Sequence, residues 1–218
     1  MNYRDRFSRL NVFHSKCKRT RFEYKFFSKS RSFRGVFNSS IFKHVNFKGS
    51  IMTSCTFSKS TLYGVEFLGS NLKQTSFKGT NFERVIFVGA NLTDCNFRGA
   101  KFTDTIFVNT NIKKAKYLDA NIPGIRIINK YPTLNISDSL YKAINETRKN
   151  PRILNYKVLH LGLNKLNNLN LYLLLEKFNE DDLIRGLYYA ADNVRVNIYT
   201  LSCLEDFLLK YKHKYVKL

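Results

Sequence analysis

The side chains best suited to chemistry in this sequence are cations. Arg4, Arg6, Arg9, Lys16, Lys18, Arg19, Arg21, Arg31 and Arg34 crowd the start of a 218-residue chain. Residues 1 to 50 hold 13 Lys/Arg against 2 Asp/Glu, within a chain of net charge +21. Fixed positive charge at that density attracts polyanions, and scattered guanidinium and ammonium groups grip phosphate rather than read bases. These nine residues are therefore candidate phosphate contacts to DNA or RNA.

Other chemistries find no footing. The histidines, His14, His44, His160 and His213, and the four cysteines show no metal-ligand spacing, so neither a metal nor a cofactor is expected. The acids Glu66, Glu83, Asp94, Asp104 and Asp119 recur singly, without a second group to form an acid-base pair. There is no glycine-rich phosphate loop, H-E-x-x-H or nucleophile elbow. The expectation is a protein without catalytic residues or a small-molecule substrate. The basic start contains no continuous apolar segment, and no stretch reaches the roughly 18 apolar residues of a membrane span. A cytoplasmic protein with no membrane partner is expected.

The elements that carry these cations announce themselves by an unusual period. In FKGTNFERVIFVGANLTDCNFRGAKF, residues 77 to 102, a bulky apolar residue returns every fifth position. A helix repeats its face every 3.6 residues and a strand every two, so a period of five requires a chain that turns corners. The phase runs without insertion from Phe37 to Ile127; behind residue 37 it passes through Phe7, Val12, Cys17, Phe22 and Phe27. It then breaks at Ser32, where Phe33 sits one place late, which predicts a ragged first coil. Two residues before each bulky site lies a small one: Ser40, Val45, Ser50, Cys55, Ser60 and onward to Ala120.

Copies such as ANLTD, TNFER and SNLKQ resemble the pentapeptide-repeat family, securely over residues 37 to 128 and loosely over 5 to 36. The resemblance implies a right-handed, four-sided β-helix with four pentapeptides to a coil. Positions 20 apart support it independently: Met52, Leu72, Leu92 and Ile112 form one column, Phe27 to Phe107 another, and Phe37, Phe57, Phe77, Phe97 and Tyr117 a third. Phe22 to Ile127 would make a rod roughly 26 Å long at strand spacing. Cys55 and Cys95 would then sit inward on one wall about 10 Å apart, beyond disulfide reach.

The period stops after Ile127, and Tyr131-Pro132 reads as a turn. Residues 131 to 218 are expected to form an all-α domain of about four or five helices, with Ser137, Asn150 and Asn179 as N-caps. Within it, residues 179 to 211 are faintly similar to the closing helices of DnaD-type domains. That likeness would place Phe207 where an aromatic assists DNA contact, although the chain has no Trp.

Some bacterial members of the family that the repeats resemble mimic DNA to occupy gyrase. With 24 Lys/Arg against 7 Asp/Glu in residues 1 to 130, this chain cannot mimic DNA electrostatically, which disfavours gyrase or topoisomerase modulation. The expected function is non-catalytic interaction with another macromolecule, with nucleic-acid association as the alternative. One outer face departs from the polar rule: Leu68, Ile86, Val88, Ile106 and Val108 form an apolar strip. Such a strip predicts an interface with a protein partner, with a second copy in a homodimer, or with the chain's own helices.

Overall fold

A chain that turns every five residues must place a residue in a bend conformation at the same interval. From His14 to Asn109 every fifth residue has a positive φ, between 44° and 69°. Most of these corner residues are not glycine, and the left-handed conformation costs such residues about 1–2 kcal/mol each. The neighbouring coil offsets the cost, because corner amides donate to it: Arg19 N–H to Asn38 O at 3.0 Å and Lys59 N–H to Lys78 O at 2.9 Å. The computed structural model describes residues 9–163 and 165–215. It divides into two compact units, Met1–Lys130 and Tyr131–Leu218.

The first unit is a parallel β-solenoid in which each residue pairs with the residue 20 further on. Its third wall carries β1 (Arg21–Phe26), β3 (Ile41–Asn46), β5 (Thr61–Tyr63), β7 (Asn81–Glu83) and β9 (Lys101–Thr103). The fourth carries β6 (Glu66–Leu68), β8 (Ile86–Val88), β10 (Thr105–Val108) and β11 (Ile125–Ile128), reached from β3 through the Asn46–Glu66 pair. β2 (Arg31–Phe33) and β4 (Ile51–Thr53) lie on the first wall. On the second wall single bridges succeed one another from Lys16–Val36 to Asn96–Lys116.

Two ladders hold successive coils in register. Phe37, Phe57, Phe77 and Phe97 stack with centroids 5.0, 5.4 and 5.0 Å apart, and Phe47, Phe67, Phe87 and Phe107 at 5.2, 4.9 and 4.7 Å. These separations follow the spacing of neighbouring strands, so each ring covers the next and the interior stays dry. The small inward sites supply the second ladder. Ser50, Ser60, Ser70 and Thr80 donate their hydroxyls to the carbonyls of Phe27, Phe37, Phe47 and Phe57, at 2.7–2.8 Å. A hydroxyl there satisfies itself in the core, which is why Ser and Thr are tolerated where Ala would also fit.

The structure corrects the expected phase at both ends. Ser32 is inward, 1% exposed, and bonds Leu10 O and Val12 N–H, so the coil continues back to Val12 with no slip. Phe33 faces outward against His14 and beneath the Arg34 guanidinium. At the other end Tyr117 is 62% exposed and Leu118 is buried in its stead. The 3-10 turn Ile112–Lys114 shifts the register only locally: Asp94 N–H bonds Lys114 O, but Phe97 N–H bonds Lys116 O just as Phe77 N–H bonds Asn96 O, and Tyr117 itself takes a left-handed corner with φ 59°. Cys55 and Cys95 are buried in the core, with the Cys95 thiol donating to Leu72 O at 2.9 Å.

Among the described residues the second unit contains five α-helices: α1 (Asp138–Glu146), α2 (Pro151–Leu154), α3 (Asn168–Lys177), α4 (Glu180–Asn193) and α5 (Leu201–Tyr215). Ser137, Asn150 and Asn179 cap α1, α2 and α4. Asn150 also donates from Nδ2 to the carbonyls of Ala191 and Val194, tying the start of α2 to the end of α4. Gly186 lets α4 and α5 meet: a Cβ there would lie 2.8 Å from Leu208. The buried Asp182 carboxylate receives Arg185 at 2.6 Å and Lys212 at 3.1 Å, and these contacts hold its pKa below the usual value. No helix among the described residues is long and apolar enough to cross a membrane.

Candidate polyanion-binding wall of the solenoid

The 20-residue register decides which cations become neighbours. On the second wall, the outward position before each central ring runs Lys16, Val36, Thr56, Ser76, Asn96 and Lys116; the position after it runs Lys18, Asn38, Ser58, Lys78 and Arg98. The adjoining corner adds Arg19, Ser39 and Lys59. No acid stands on the flat of this wall; Asp94 and Asp119 lie at its corners. Among the described residues Lys16, Lys18, Arg19, Lys59, Lys78 and Arg98 make no ion pair, while Lys116 lies 3.7 Å from Asp94. All seven cations are exposed. The wall is about 24 Å long at strand spacing, from Lys16 to Lys116.

Between the cations the surface is a tied polar mesh. Thr56 Oγ1 contacts Asn38 Oδ1 at 2.7 Å and Ser58 Oγ at 2.9 Å, and Asn38 Oδ1 also accepts the Ser58 N–H at 3.0 Å. These bonds fix the strip on which the long cations are mounted. Near its first coils lies an open depression of about 540 Å³ lined by Lys18, Arg19, Asn38, Ser39, Ser58 and Lys59. A rigid surface with fixed positive charge and no counter-charge is suited to an extended anion.

The nine cations singled out by sequence do not form one cluster. Lys16, Lys18 and Arg19 share the second wall. Arg21 faces out from the third wall, 2.5 Å from Glu23. Arg31 lies on the first wall and Arg34 at its corner, over the Phe33 ring at 5.0 Å. Arg9 is exposed ahead of the first wall, and Arg4 and Arg6 lie outside the described residues. Five residues of chain advance a quarter-turn, so a basic run is distributed around the solenoid. The cations that complete the second wall, Lys59, Lys78, Arg98 and Lys116, come from later coils. Their signal was present in the sequence as 20-residue spacing of the outward positions.

The apolar strip lies on the fourth wall. Ile86 and Ile106 continue the column of Asn46 and Glu66, which are joined by a 2.8 Å hydrogen bond. Ile86, Ile106 and Val108 are buried and Leu68 and Val88 half-buried. Among the described residues no group of His, Cys, Asp and Glu could hold a metal ion.

Residues 40–117 match the family described as Pentapeptide repeat region. That stretch of the solenoid is a pentapeptide-repeat region. Similar solved structures include HetL, a pentapeptide repeat protein involved in heterocyst differentiation regulation from the cyanobacterium Nostoc sp. strain PCC 7120. It is 13% identical over 46% of this chain and 45% of its own, at a TM-score of 0.32. The chain thus spans less than half the length of that relative. Rfr23 from the cyanobacterium Cyanothece 51142 is 11% identical over 54% of this chain and 86% of its own, TM-score 0.21. QnrB1, a plasmid-mediated fluoroquinolone resistance protein, is 15% identical over 58% and 86%, TM-score 0.23. No curated protein matches the chain by sequence.

Proposed function

We propose that this pentapeptide-repeat protein is a non-catalytic interaction protein whose second wall lies along the phosphate backbone of nucleic acid. One observation carries the reading: a flat, rigid wall with seven cations, six of them unpaired among the described residues, and no acid between them. Surface lysines that only confer solubility are ordinarily interspersed with acids, as Lys43, Glu83 and Lys101 are on the third wall. The interior adds no competing chemistry, because stacked rings fill it. Duplex mimicry toward gyrase is disfavoured by the same charge, since a surface of this sign repels the saddle that receives DNA.

The test is fluorescence anisotropy of the full chain against a labelled duplex of about 30 base pairs at about 50 mM salt. Binding by the native chain that is lost in Lys59→Glu/Lys78→Glu supports the proposal. Absence of binding at that salt, or equal binding by the variant, overturns it.

A further inference from the structure

The cations of the wall are not evenly distributed. Three of them, Lys18, Arg19 and Lys59, line a single depression, whereas Lys78, Arg98 and Lys116 follow singly, one to a coil. The remaining lining is also made of donors. Asn38 holds its Oδ1 inward on Thr56 and Ser58, which leaves its Nδ2 amide directed away from that mesh and without a partner among the described residues. The Ser39 hydroxyl has no partner among them either. Arg19, Ser39 and Lys59 occupy equivalent corners with φ of 55°, 57° and 59°, so their backbones stack in register and mount the three side chains side by side. The depression contains no carboxylate, no aromatic ring and no apolar side chain.

That composition distinguishes between ligands. A base has no ring to stack on here. A phosphodiester in the middle of a strand brings a single negative charge and two free oxygens, which leaves two of three converging cations without a counter-charge. A phosphomonoester brings −1.5 to −2 charges and three strong acceptor oxygens, matching a lining of donors alone. We infer that the depression at Lys18, Arg19, Asn38, Ser39 and Lys59 is a binding site for a phosphomonoester, supplied by the terminal phosphate of a nucleic-acid strand. This rests on the reading of the wall as a nucleic-acid surface: the depression takes the end and the remaining cations follow the backbone away from it. The same chemistry occurs in a free phosphorylated metabolite, and the experiment separates the two sources.

Full-length protein is titrated with two duplexes identical except that one carries 5′-phosphates and the other 5′-hydroxyls, each with and without millimolar inorganic phosphate. The expected result is about tenfold tighter binding of the phosphorylated duplex, the scale of one charge-assisted site. That preference should vanish in Arg19→Ala and Lys59→Ala and be erased by inorganic phosphate. Circular dichroism of both variants should be native, because neither side chain enters the core. Equal affinity for the two duplexes overturns the end site while leaving the wall reading intact. If neither duplex binds but inorganic phosphate binds the native chain and not the variants, the wall reading fails and the site belongs to a small phosphorylated ligand. If neither duplex nor phosphate binds, both fail.

Discussion

Replacing Lys78 and Arg98 with alanine together gives a result whose size follows from the structure. Both project outward from the second wall, exposed, one coil apart in the same column, and neither touches the ring ladder behind them through an ion pair or a buried bond. The fold should therefore be unchanged. Six unpaired cations on one wall, if all engaged, release about 0.9 counterions each from duplex DNA, giving a slope of log affinity against log salt of about −5. Raising salt fourfold should then weaken the native chain about 10³-fold. The double variant loses two of six contacts, so its slope should flatten by about 2 and its fourfold salt penalty fall to about 10²-fold. Affinity is measured by anisotropy at several salt concentrations between about 50 and 200 mM. An unchanged slope in the double variant would refute the reasoning, because it would place the phosphate contacts on another wall.

The remaining predictions concern the scaffold. Phe77→Ala opens a gap between Phe57 and Phe97 in a ladder sealed from water, and should cost about 3–5 kcal/mol in urea unfolding. Gly124→Ala should be more damaging than its size suggests: φ is +83° and the added Cβ would lie 2.1 Å from Phe102 O, so the coil must open for it to fit. Burial pushes the Cys55 thiol up to about 11 and the Cys95 thiol to about 12, so neither should react with a thiol reagent at pH 8 until denaturant is added. His160 is buried with its Nε2 3.0 Å from Ile144 O, and burial, assisted by the Arg148 charge, lowers its pKa from the ordinary 6.5. A depressed histidine pKa means the unfolded chain takes the proton first. Stability should therefore decline as pH falls below about 6.5 toward the folded value, and His160→Gln should flatten that decline in thermal melts.

The period of five made the solenoid legible because it is enforced at both corner and core. Each pentapeptide must supply one residue that tolerates positive φ, one bulky apolar side chain and one small inward group, and the sequence shows the last two at fixed intervals. Helix caps were legible for a comparable reason: Ser137, Asn150 and Asn179 act on amides two or three residues away. Ser32 was misread because a hydroxyl satisfied by Leu10 O and Val12 N–H can hold a site that bulky residues otherwise fill. Tyr117 departs from the pattern because it takes a left-handed corner, φ 59°, two residues before the five-residue phase would place one, which no residue type in the sequence signals. For the candidate site, adjacency along the chain was the wrong metric. Arg19 and Arg21 are two residues apart and face different walls, whereas Arg19 and Lys59 are 40 apart and line one depression.

Which wall touches nucleic acid can be read directly by acetylating exposed lysines in the free protein and in its duplex complex, then quantifying each site by mass spectrometry. Lys18, Lys59 and Lys78 should be protected in the complex, while Lys73 on the first wall and Lys101 on the third should react as in the free chain. Protection of Lys73 or Lys101 with Lys59 and Lys78 still reactive would contradict the account.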